Sequence, residues 1–180
     1  MRPSTSEVRG TLFVITAIAG TSAYRTSDTA DVVRSALSAH FLRRDPYRSG
    51  ALLEELAHER TAQDALEELV LVAAETLRVI NRSPARRHLV LDRDAVVNQL
   101  VVARLIRPGQ RRLVTELLHR AAGLAAGMRS PGDPEAFDGL SDHQVLVGAW
   151  AVTLGLVWTA ARALRQEQAT IYLRVLNADD

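Results

Sequence analysis

The sequence predicts an all-α protein, a single-domain bundle of about six to seven helices around a central apolar C-terminal helix. Three observations predict it. Alanine, leucine, valine and arginine dominate while only 4% of residues are aromatic; apolar residues recur at three- and four-residue spacing in one segment after another; and Val145 to Ala161, VLVGAWAVTLGLVWTAA, runs for seventeen residues without a charge.

Taken in order, Ser4 and Glu7 resemble a capping box, and Val8, Leu12, Ile15 and Ala19 continue at helical spacing to about Ala23. Leu12 to Ile18 is also rich in strand formers. A second helix from about Asp28 presents Val33, Leu37 and Phe41 to the core and stops before Pro46. A short third helix follows Ser49. From Thr61, with Asp64 three residues on, Leu66, Val70, Ala73, Leu77 and Ile80 repeat with the regularity of a core-facing stripe. After a loop around Ser83 and Pro84 another helix is expected from about Asp92 to Ile106. Pro108 breaks the chain before a helix carrying Leu113, Leu117, Ala121, Leu124 and Met128. The turn-rich segment at about 130–140 separates it from the long apolar helix, which Ser141 and Gln144 cap and which continues, with a break, toward Leu176. The acidic end at about 177–180 is expected to fray.

The composition fits one domain over 1–180: the 180 residues are enough for a sizeable core, and 47% hydrophobic content is ordinary for a globular chain. Cysteine is absent, which excludes disulfides, thiolate metal sites and cysteine nucleophiles. All 22 Lys and Arg residues are arginine. That removes Schiff-base chemistry and the lysine of a phosphate-binding loop, roles that an always-charged guanidinium does not fill. The N-terminus MRPSTSEVRG lacks the pattern of a signal peptide, so the expected location is cytoplasmic.

At helical rise the uncharged run of the C-terminal helix spans about 25 Å, short of the roughly 30 Å hydrocarbon core. Enclosure by protein is therefore expected, with membrane association through 145–161 as an alternative. Leu146, Trp150, Thr153, Val157, Ala160 and Leu164 form one seam. Ala151, Gly155 and Thr159 form a small-residue face that, with Trp158, is a candidate helix-packing interface, either within the chain or in a homodimer.

Glu55-Leu-Ala-His58 and Glu116-Leu-Leu-His119 are both Glu-x-x-His, which resembles the ligand pairs of ferritin-like di-iron bundles. Helical geometry argues against that reading. Glu116 and His119 point away from the Leu113 and Leu117 face, and Glu55 and His58 lie opposite Leu52 and Leu56. No metal ligand, cofactor or catalytic residue is assigned. Of the five histidines, only His40 falls on an apolar face, beside Val33 and Leu37, so it is the candidate polar contact of a ligand pocket, against the plainer reading of a hydrogen-bonded core histidine.

The net charge of +1 conceals a split. Residues 51–76 carry a formal −6, and residues 78–129 carry +8. Arg104, Arg107 and Arg111 would form one helical stripe if Pro108 bends the helix, with Arg86, Arg87 and Arg112 as neighbours. This is a candidate patch for a protein partner or an anion. Pairing with the acidic segment is the preferred reading. Nucleic acid is disfavoured by a pI of about 8.3 and by the lack of aromatics among the arginines.

The sequence thus points to a non-enzymatic helical interaction or regulatory protein acting through protein association, with itself as a favoured partner. The alternatives are a binding protein or enzyme with an apolar-ligand pocket near His40, and a membrane-associated protein.

Overall fold

In the structure, a computed structural model, residues 27–57, 59–83, 92–128 and 133–178 are described. The helix expected up to about Ala23 lies outside them. Seven α-helices are seen among the described residues: α1 (Ser27–Phe41), α2 (Pro46–Leu56), α3 (Glu59–Arg82), α4 (Arg93–Val102), α5 (Arg111–Ala125), α6 (Asp142–Leu164) and α7 (Gln168–Leu176). The chain is an all-α bundle with the apolar C-terminal helix α6 at its centre.

Two helices share that centre. The most extensive contact in the bundle is between α6 and α3, and each of them also touches α2 and α7. Helices α4 and α5 complete the shell around α6, while α1 and α5 lie against α3. All seven contribute to one hydrophobic cluster. The stripe predicted for α3 is buried throughout, and Ala62, Ala65, Val72 and Ala74 on its other sides are buried as well. Alanines let neighbours approach α3 from several directions, so a helix bearing Glu67, Glu68, Glu75 and Arg78 is nevertheless interior. Burying each leucine or valine side chain contributes about 1.5–3 kcal/mol.

The α6–α3 contact carries a polar tie. The buried Thr153 hydroxyl is shared between its own helix, at Ala149 O 3.0 Å away, and Leu69 O of α3 at 3.1 Å. Glycines set the approach of α4 and α5 to α6. A Cβ on Gly155 would fall 2.7 Å from Leu100 Cδ2 of α4, and one on Gly148 would fall 2.6 Å from Leu113 Cδ2 of α5.

Helix ends follow local chemistry, with three departures from the sequence reading. Helix α2 begins at Pro46, not after Ser49, because Asp45 caps it by accepting from the Arg48 N–H at 2.9 Å and Pro46 takes the first position. Helix α1 has already ended at Phe41, and Pro46, expected only as its stop, opens the successor instead. Helix α4 ends at Val102, short of Ile106; Arg104 turns left-handed (φ 58°), and a 3₁₀ turn over Pro108–Gln110 leads into α5. Along α5, Leu113, Leu117 and Ala121 are buried, but Leu124 and Met128 are exposed at its end. Ser141 and Gln144 cap α6 reciprocally as predicted. The predicted break after α6 is a Schellman-type closure: Arg165 is left-handed (φ 52°), its N–H reaches Arg162 O, and the Gln166 N–H donates to Ala161 O at 2.9 Å.

Candidate functional site

The last turn of α1 buries Phe41 and leaves His40, one residue earlier, half-buried. The chain then leaves the helix through Arg44, left-handed at φ 54°, and re-enters one at Pro46. On the facing side, α6 ends in a left-handed residue and α7 starts at Gln168. Two tight reversals therefore stand next to one another, and between them opens a cleft of about 620 Å³ lined by His40, Phe41, Arg44, Pro46, Trp158, Ala161, Arg162 and residues 166–169. Non-glycine residues in the left-handed region cost of order 1–2 kcal/mol and persist only where the surroundings hold them. Here two arginines adopt it, one in each reversal.

The cleft has an aromatic wall. The His40 ring stands edge-on to Phe41 at 5.0 Å and to Trp150 at 6.0 Å, and Phe41 in turn meets Tyr172 at 5.2 Å. Burial holds the His40 pKa below its ordinary value, so at neutral pH the ring is uncharged and presents one donor and one acceptor. Trp158, 39% exposed, lies across the same opening. Behind the wall, the fully buried Tyr172 donates to Arg34 O at 3.0 Å and lies 3.3 Å from Ser38 Oγ. Desolvation raises its pKa, so it remains a phenol that fixes α7 to α1. Arg34 also reaches the buried Glu68 of α3 at 3.2 Å.

Charge at the mouth is uneven. Arg44 and Arg162 line the cleft and are exposed, and neither forms an ion pair among the described residues; the carboxylate in the lining is Glu167. Of these residues the sequence pointed to His40 and, as a packing residue, Trp158. Arg44 and Arg162 were not read as neighbours because they stand 118 residues apart, and only the folding of the α1–α2 reversal against the end of α6 places both on one cleft.

The other candidates are dispersed. On α6, Ala151 and Gly155 are buried against the chain's own helices, Thr159 is half-buried with its hydroxyl donating to Gly155 O at 2.7 Å, and Trp158 turns to the cleft. Glu55 is exposed and His58 lies outside the described residues. Glu116 corrects the sequence geometry: it does not look outward but is buried at 7% exposure and accepts from Arg120 at 2.7 Å. The cause is a 3₁₀ turn, Pro134–Phe137, laid over that side of α5. Arg112 holds it through Asp133 and Glu135, and the Arg120 guanidinium stacks 4.6 Å over Phe137. Among the described residues no group of three or more His, Asp and Glu side chains could hold a metal ion.

The arginine stripe does not form. Arg104, Arg107 and Arg111 are exposed, but the chain between them is not α-helical, passing through a left-handed residue and a 3₁₀ turn, and Arg86 and Arg87 lie outside the described residues. Nor do the described ion pairs couple the acidic and basic segments broadly. Glu68 pairs with Arg34, and Arg112 with the 133–135 turn; Glu75 and Arg78 join the two segments within α3 itself, and Glu54 lies within hydrogen-bond distance of His143 Nε2 at 2.9 Å.

In comparison with known proteins, the chain matches no family model, no curated protein and no solved structure.

Proposed function

We propose that this chain is a small-molecule-binding helical module that takes an apolar ligand in the cleft beside His40. The cleft carries the reading: its volume of about 620 Å³ lies within the range of ligand sites, roughly 300–1,000 Å³, and it combines an aromatic wall with a few convergent polar groups. His40 would supply a directional hydrogen bond, and Phe41, Trp158, Ala161 and Ala169 the apolar contact. No chemical step is assigned, and the proposed location remains the cytoplasm.

N-phenyl-1-naphthylamine, an uncharged aromatic dye that brightens on leaving water, tests this directly. The native chain should bind it at about one site, and Ala169→Trp, which fills the cleft from its rim, should abolish binding while the far-ultraviolet circular dichroism stays helical. Absent binding, or binding unaffected by Ala169→Trp, contradicts the proposal.

A second reading, association with a protein partner or another copy, is favoured by two exposed apolar side chains, Tyr47 at 91% and Val102 at 82% exposure. The small-residue face of α6 supports it less, since Leu100 already occupies the space at Gly155. Light scattering giving a mass near 19.7 kDa would remove the self-association form of this reading. Membrane insertion finds one feature in its favour: α6 is long and apolar enough to cross by length and composition. Yet 72% of its apolar window is buried inside the fold, the property of a core helix.

A further inference from the structure

Resting on the cleft reading above, we propose that the ligand is an amphiphilic organic anion: a ring-sized apolar body carrying an oxyanion head, which Arg44 and Arg162 receive at the mouth. The argument is one of charge and position. Two guanidiniums line one opening, and neither is neutralised by a carboxylate among the described residues. Arg34, Arg78, Arg112 and Arg120 form ion pairs, whereas the exposed Arg43, Arg104, Arg107 and Arg165, like Arg44 and Arg162, form none among the described residues; what sets Arg44 and Arg162 apart is that both line one cleft. The one carboxylate in the lining, Glu167, leaves the mouth net positive, and His40 adds no charge at neutral pH because burial keeps it unprotonated.

The chemistry of the two ends differs in the required way. Trp158, 39% exposed, offers apolar surface that gains by leaving water, with the buried Phe41 and Ala161 forming the floor beneath it, whereas guanidiniums present forked donors that match a carboxylate, sulfonate or phosphate. The backbone is also committed to this placement. Arg44 holds a left-handed conformation in the α1–α2 reversal, and Arg162 lies in the last turn of α6, where its carbonyl takes part in the closure that sets the facing rim. Exposed guanidiniums beside a partly enclosed apolar cleft can each contribute a charge-assisted hydrogen bond that a neutral ligand does not engage.

A matched dye pair on the intact protein separates this inference from the cleft reading itself. 1-Anilinonaphthalene-8-sulfonate has the skeleton of N-phenyl-1-naphthylamine with a sulfonate added. The double variant Arg44→Gln/Arg162→Gln should weaken sulfonate binding about tenfold or more and leave the neutral dye within about twofold. Glu167→Gln should move the sulfonate dye the other way, tightening it two- to threefold; the Glu167 side chain makes no capping hydrogen bond, so folding should survive the change. Raising salt should weaken only the sulfonate. If the arginine variant leaves both dyes unchanged, or weakens both alike, the anion inference is overturned while neutral-dye binding keeps the cleft reading standing. If neither dye binds the native chain, both fall.

Discussion

His40 packs edge-on against two rings, and burial disfavours its charged form. The sign of the consequence is fixed. Its folded pKa lies below the unfolded value of about 6.5, so its contribution to stability is complete above pH ~6.5 and is lost as pH falls from there toward the lowered folded value. Urea unfolding from pH 7.5 to 5 should therefore show a larger loss of stability for the native chain than for His40→Gln; superimposable pH profiles would contradict the burial argument. The position of His40 on an apolar face was legible from its spacing relative to Val33 and Leu37. That it borders a cleft was not, since Trp158 and Arg162 come from a helix more than a hundred residues away in the chain.

At the scale of the element, the 3.6-residue period located α1, α3 and α5, turn and proline signals marked α2 and α4 with shifted ends, and the capping chemistry at Ser141 and Gln144 fixed the start of α6. What the period concealed was coverage. Glu116 reads as solvent-facing on an isolated α5, yet the 134–137 turn lies over it, anchored by the Arg112 and Arg120 contacts. Likewise the acidic residues of α3 disguised a helix as interior as α6.

The small residues Ala151, Gly155 and Thr159 of α6 were read as a contact face, and at Gly155 the partner is Leu100; Gly148, which the sequence reading did not single out, meets Leu113 in the same way. Gly155→Ala would gain about 1 kcal/mol of helix propensity but overpack Leu100 at a cost of roughly 1–3 kcal/mol, so a net loss of stability is expected. In a Leu100→Ala background the same substitution should become stabilising, because the cavity accepts the methyl group. A double-mutant cycle in urea measures this coupling, and additivity would contradict the close approach.

For the whole molecule, the all-α class and the central place of the C-terminal helix were legible because seventeen uncharged residues have to be enclosed, and a bundle can enclose them. The arrangement of the shell was not legible. The acidic and basic segments suggested broad mutual pairing, whereas the described pairs are local or run to α1, to α6 and to the 133–135 turn. Short-range geometry won because an exposed ion pair contributes only about 0–1 kcal/mol and does not direct how helices dock; apolar burial does. The result is an interior helix covered along most of its length, with its C-terminal end opening on the cleft at Trp158 and Ala161.

The enclosure of α6 is measured most directly by hydrogen exchange resolved to single amides in detergent-free buffer. Amides from Leu146 to Ala160 should exchange only through global unfolding, with the same free energy as urea denaturation, while those of the 165–167 reversal at the cleft should exchange through local openings of lower free energy. Exchange along α6 as fast as in that reversal, or protection of α6 that appears only when a bilayer is supplied, would contradict the fold and the cleft together.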